Sequence, residues 1–300
     1  MITRHDRVAV ELPKPAAPNA NGASLVQELL GGKFGEMSTL MNYQFQSMNF
    51  RGRDEKHARP FYDLIANIAA EEHSHIELVA YTINLLLTGT TQRGNDPATA
   101  PLSGITENRN SLHFIASGQT ALPLDSMGRP WTGDNVFSSG NLKLDLLHNF
   151  FLECGARANK IRVYETTDDP TVRAMTGYLL VRGGVHVVAY ARALEVLTGA
   201  DLSKLFPIPD ISNKAFPEAK KLEDQGLHLI LYRNNPTDYA RVNEVFKGPH
   251  PEDGQPLTVQ DGTPEGAKPP TLEEEPQLTA PGLGAIGEEE LAEILKRLEA

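Results

Sequence analysis

Residues 69–80 read AAEEHSHIELVA and set Glu71, Glu72, His73 and His75 side by side in a helical run. A helix turns by about 100° per residue, so positions three, four and seven apart share a face. On the helix predicted from about Pro60 to Thr88, the residues Leu64, Ile68, Val79 and Leu86 trace an apolar stripe. Glu72 and His75 fall inside that stripe. His73 lies on the opposite side, Glu77 points away, and Glu71 sits at the stripe's edge. The core-facing chemistry of this helix is therefore an E-x-x-H pair at i and i+3.

Three other segments repeat the pattern. A first helix, predicted from Ser24 to Phe50 with Gly52 beyond its end, places Glu36 on a face with Leu29, Leu40 and Tyr43. A third, from Gly140 to Glu165, places Glu153 with Leu146 and Phe150. A fourth opens at DDPT, with an acidic cap and Pro170 in its first turn, and stops before Gly199. Its stripe of Val172, Met175, Leu179 and Tyr190 frames His186. A buried carboxylate without a partner costs several kcal/mol. Glu36, Glu72 and Glu153 meeting His75 and His186 in one core would repel or stay neutral unless cations lie among them.

The expected frame is all-α. Short loops join helices one and two and helices three and four, which favours two antiparallel hairpins. A crossover at 89–139, rich in Gly, Pro, Asn and Ser, links the hairpins, a topology used by ferritin-like four-helix bundles. The reading divides the chain into an N-terminal arm (1–23), the bundle (24–199) and an extended, mostly irregular C-terminal segment (200–300). That last segment carries recurrent Pro and Gly, and only the final EEELAEILKRLEA reads as an amphipathic helix. It is expected to wrap over the bundle or over a neighbouring subunit.

In carboxylate-bridged dimetal bundles, two helices give one Glu each and the other two give E-x-x-H. Here the fourth helix departs, with Gly183 three residues before His186. The predicted metal ligands are therefore Glu36, Glu72, His75, Glu153 and His186. Oxygen and imidazole donors without sulfur suit manganese or iron. Composition narrows the alternatives. A net charge of −11 argues against nucleic acid and anionic membranes, and no apolar run approaches the roughly 18 residues of a membrane span. Cys154 is the only cysteine, which excludes an internal disulfide and a thiolate cluster. The expectation is a soluble cytoplasmic protein without a secretory signal.

The strings LLGGKFGEMSTLMNYQFQS (29–47), IANIAAEEHSHIELV (65–79), SSGNLKLDLLHNFFLE (138–153) and GYLLVRGGVHVVAY (177–190) closely resemble the manganese catalases. The resemblance covers roughly residues 1–250 and includes the order and spacing of all five ligands. It implies disproportionation of hydrogen peroxide at two manganese ions per chain, cycling between Mn(II)₂ and Mn(III)₂. Glu36 and His75 would bind one ion, Glu153 and His186 the other, and Glu72 would bridge. It also implies a homohexamer whose terminal segments wrap neighbours. Where some relatives carry an Arg before the third-helix Glu and a Glu three before the last His, this chain has Leu152 and Gly183. Lys160, seven residues after Glu153, is the candidate to fill part of that role and to assist proton movement with Glu36; otherwise it pairs with an unrelated acid. Tyr43 is placed either to hydrogen-bond a ligand carboxylate or to pack. Some members bind calcium near the start of helix two, where Asp63 and Asn67 match two positions loosely. The competing readings are a di-iron peroxidase or oxidase and a ferritin-like metal store. His113 falls in the crossover, and His148 and Cys154 are read as packing residues.

Overall fold

The computed structural model describes residues 6–88, 114, 120–206, 209–272 and 286–300. His5, His113 and most of the crossover lie outside the described residues.

The predicted first helix is two helices. α1 (Ala20–Gly31) is capped by Asn19, whose side chain accepts from the Gly22 amide at 2.8 Å. α2 (Glu36–Met48) starts anew after the stretch GGKFG. Periodicity alone reads through this break because Leu29 and Glu36, seven apart, still fit one stripe. The glycines that bound it have no room for a side chain. A Cβ at Gly31 would lie 2.3 Å from the Leu124 carbonyl oxygen, and one at Gly35 would lie 2.7 Å from that of Leu30. The consequence is chemical: Glu36 becomes the first residue of a helix, at the positive end of its dipole.

α3 (Arg59–Leu87), α4 (Leu142–Thr166) and α5 (Pro170–Thr198) match the predicted helices to within two residues. Asn141 caps α4 and Asp169 caps α5 through their side chains, and α5 ends at Gly199 with φ 72°. α2 packs on α3 and α4 on α5, giving two hairpins that close a four-helix core. α1 packs along α3, burying Val26, Leu29 and Leu30 against Leu78, Val79, Ile83 and Leu86.

Past α5 the chain is less irregular than its prolines suggest. It forms a short helix α6 (Pro217–Glu223) and two strands, β1 (Ile230–Arg233) and β2 (Thr258–Asp261), paired in parallel with Ile230 opposite Thr258. Ile211, Leu231, Val242, Val245, Phe246 and Leu257 join the same apolar core as Tyr43, Leu64 and Phe150. The bundle also clasps this segment with polar groups. Asn67 donates to the Tyr232 carbonyl at 2.8 Å and accepts from the Asn234 amide at 2.9 Å, while Arg157 donates to the carbonyls of Asp210 and Ser212. The N-terminal arm reaches the same layer, where Val8 bridges Ala267. The last helix, α7 (Glu288–Glu299), buries none of its residues. No helix among the described residues is long and apolar enough to cross a membrane.

Candidate metal centre

Each helix of the four-helix core delivers its predicted residue to one place. Glu36 comes from the first turn of α2, Glu72 and His75 from the middle of α3, Glu153 from α4 and His186 from α5; all are fully buried. His75 Nδ1 lies 3.4 Å from Glu36 Oε2 and 3.3 Å from Glu72 Oε2. His186 Nδ1 lies 2.7 Å from Glu72 Oε1 and 3.4 Å from Glu153 Oε1. Glu72 thus stands between two three-residue sets, Glu36–Glu72–His75 and Glu72–Glu153–His186, each with its donor atoms within 4.8 Å of one another. The two imidazoles stack, with centroids 5.6 Å apart. His73 is exposed, as the helical wheel requires.

Two residues of the centre are not legible from the apolar stripes. Glu71 is buried rather than at an edge, and Arg182 of α5 meets it with Nε to Oε1 at 2.6 Å and Nη2 to Oε2 at 3.1 Å. Glu71 also faces the far nitrogens of both histidines, His75 Nε2 at 3.7 Å and His186 Nε2 at 3.4 Å. The Glu71 carboxylate thus stands beyond both rings, on the side away from the other carboxylates. The spacing held the signal: Glu71 precedes His75 by four residues and Arg182 precedes His186 by four, so each is a same-face neighbour of a ligand.

The remaining contacts complete the surroundings. Thr39 Oγ1 donates to Glu72 Oε2 at 2.7 Å, and Tyr43 OH donates to Glu153 Oε1 at 2.7 Å. Lys160, itself buried, brings Nζ to 2.8 Å from Glu36 Oε1. Gly183 faces it, with the place of a Cβ 3.5 Å from Lys160 Nζ and 3.9 Å from Glu153 Oε2. The lysine therefore occupies the space beside the one predicted motif position that lacks a side chain.

The centre calls for positive charge. Four buried carboxylates (Glu36, Glu71, Glu72, Glu153) face two fixed cations (Lys160, Arg182), leaving two negative charges when the imidazoles are neutral. Burial would lower both imidazoles, yet the surrounding carboxylates hold His75 and His186 well above the usual histidine range. Burial also pushes Glu36 up, against the pull of Lys160. Glu72 is held well below the carboxylate range by the two histidines in spite of its burial. Glu153 Oε2 is buried without a hydrogen-bond partner. A buried set of oxygen and imidazole donors with unused lone pairs fits divalent manganese.

A family model described as "Manganese containing catalase" matches residues 1–290. The chain belongs to the manganese-containing catalases. Curated members of the same kind include a manganese catalase of Bacillus subtilis (strain 168), 35% identical over 212 residues covering 68% of this chain and 75% of that protein. An uncharacterized protein of the same bacterium, YjqC, is 36% identical over 242 residues, 78% of this chain and 79% of its own. The crystal structure of KatB, a manganese catalase from Anabaena, superposes with a TM-score of 0.55 at 25% identity, covering 66% of this chain and 81% of that one. Membership makes this chain a catalase that uses manganese and takes hydrogen peroxide as substrate.

The other sequence candidates lie apart from the centre. Asp63 and Asn67 have protein partners here: Asp63 Oδ1 is 2.6 Å from the Arg59 guanidinium, its Oδ2 accepts the Arg241 amide at 2.9 Å, and Asn67 makes the Tyr232–Asn234 clasp. His148 approaches Asn42 Oδ1 at 3.1 Å and stacks on Phe137, a packing role. Cys154 is half-buried, and burial beside Glu153 pushes its thiol up to about 12. His57 is exposed.

Proposed function

We propose that the catalase reaction runs at two manganese ions per chain, with Glu36 and His75 on one, Glu153 and His186 on the other, and Glu72 shared. The observation that carries this reading is the position of Glu72, whose two oxygens face the two histidines from the middle of a doubled donor set. When bound, such a pair supplies two-electron cycling between Mn(II)₂ and Mn(III)₂, one peroxide being reduced and a second oxidised.

The protein's own groups then hold charge and move protons. Lys160 neutralises Glu36 and keeps a proton 2.8 Å from its carboxylate, beside Gly183. Those two residues are the proton carriers of the reading. Tyr43 fixes Glu153, and Thr39 fixes one oxygen of Glu72. Burial and the neighbouring Glu153 push Tyr43 well above the usual phenol range, so it stays a donor at any working pH. The Glu71–Arg182 pair presents both Nδ1 atoms inward. Walls of Leu40, Leu64, Ile68, Leu146 and Phe150 keep bulky reductants out.

A homohexamer acting in the cytoplasm belongs to the same reading. It is supported by the exposed Phe45, Met48, Leu144, Leu147 and Phe151 on the outer faces of α2 and α4, and by exposed Leu295 and Leu298 on α7. Metal content on protein purified without added metal, paired with oxygen evolution from peroxide, tests the whole. The expected result is about two manganese per chain with rapid oxygen release. Iron in their place, with no oxygen, would replace this reading by the di-iron one.

A further inference from the structure

Outside the bundle core, a second cluster of metal-binding side chains is built by the C-terminal segment. His228 lies in the turn Leu227–Leu229 that leads into β1. His250 and Asp253 lie in a tight loop closed by the bridge between Pro249 and Pro256 and by His250 N–H donating to the Gln255 carbonyl at 2.7 Å. His228 Nε2 is 2.9 Å from Asp253 Oδ2, and His250 Nδ1 is 3.4 Å from Asp253 Oδ1. The rings stand edge to face at 5.1 Å, and one donor atom from each residue falls within 4.8 Å of the others.

The pair His228–Asp253 by itself is an ordinary hydrogen bond. His250 makes the difference. It sets a second, buried imidazole against the other oxygen of the same carboxylate, with Nδ1 3.4 Å from Asp253 Oδ1. The backbone is already fixed on both sides. Asp253 Oδ1 accepts the Gln255 amide at 2.9 Å, and Arg182 donates to the carbonyls of Leu227 and Ile230, which bracket His228. The cluster opens on a groove of about 400 Å³ whose wall includes Glu223, Asp224 and Glu252, leaving room for solvent to complete a coordination sphere.

We propose that His228, His250 and Asp253 form a second metal site, separate from the dimetal centre, that binds one divalent transition ion of the zinc type with solvent in its open position. Two neutral imidazoles and one carboxylate suit zinc, cobalt or nickel better than calcium or magnesium, which prefer all-oxygen sites. The ion would tie the turn before β1 to the loop before β2. Because Arg182 holds that turn with one nitrogen and Glu71 with the others, the same ion would stiffen the surroundings of the dimetal centre.

The test is calorimetric titration of zinc into the manganese-loaded full chain, comparing wild type with His228→Gln and Asp253→Asn. Both variants should keep oxygen evolution, since neither residue touches the bundle core. Wild type should take up one zinc per chain more than either variant, or bind it at least about tenfold more tightly. Zinc should raise the melting temperature of wild type alone. Equal stoichiometry and affinity in all three proteins would overturn the proposal, because any zinc bound would then sit elsewhere. Should His228→Gln fail to fold, Asp253→Asn, at a more exposed position, carries the same comparison.

Discussion

This molecule brings paired histidines and carboxylates together twice, by two different means. In the bundle, the residues come from four rigid helices whose apolar stripes force them inward, and every group is sealed from solvent. In the C-terminal segment, the residues come from a turn and a loop held by backbone hydrogen bonds, and the carboxylate reaches the surface. The first arrangement traps more negative charge than its own cations can neutralise. The second holds little excess charge, and burial keeps one imidazole neutral. The difference teaches that ligand type alone does not define a redox centre. Confinement does, since a carboxylate that cannot reach water must keep its counter-charge.

The sharpest way to break the contrast is to remove the residue both halves of the bundle site share. Glu72→Gln takes one charge from between the two donor sets, and oxygen evolution should fall by about a thousandfold or more with loss of bound manganese. Metal analysis together with an oxygen electrode would show both. A variant that kept its manganese and its rate would remove Glu72 from the bridging position.

Arg182→Met probes the trapped charge itself. It strands Glu71 in the core without its guanidinium, and stability should fall by about 3–5 kcal/mol in denaturant unfolding. Adding Glu71→Gln should recover part of that loss, and the double-mutant cycle measures the coupling. No such penalty is expected for Asp253→Asn in the outer cluster, whose carboxylate is reached by solvent.

Lys160→Met asks whether the lysine acts or merely packs. Manganese should be retained while kcat falls by about tenfold, the effect of losing a proton-holding neighbour. Unchanged turnover would leave Lys160 as a counter-ion only.

The smallest effect belongs to the outer cluster. His250 is held at about 4 when folded against an ordinary 6.5, so the unfolded chain takes up the proton first. Its contribution is therefore present above pH 6.5 and is lost as pH falls towards 4. In the presence of a chelator, stability should fall across that window, and His250→Asn should flatten the slope. A stability that did not change between those pH values would show that His250 ionises freely.

The convergence of the five predicted ligands was legible because a helix converts spacing into direction: Glu72 and His75, three apart, cannot avoid sharing a face once Leu64, Ile68 and Val79 choose it. Caps at Asn141 and Asp169, the stop at Gly199 and the solvent position of His73 follow from the same local rules. Tertiary contacts decided the rest. The break at Gly31–Gly35 makes Glu36 the start of a helix, and its first glycine packs against the Leu124 carbonyl, far away in sequence. Glu71 and Arg182 meet across two helices, and no periodicity within either one says that a residue beside the stripe will find its counter-charge. Lys160 found its acid in Glu36, where the sequence left an unrelated acid equally open, and Tyr43 found Glu153, where hydrogen bonding and packing were equally open. His228 and His250 are brought together by a turn and a loop, whose paths depend on individual backbone hydrogen bonds rather than on a repeating angle. The sequence by itself determined the helices, their inward faces and the kind of metal centre they make. Only the tertiary structure decided which charges face one another, because that depends on distances between elements, which local periodicity does not encode.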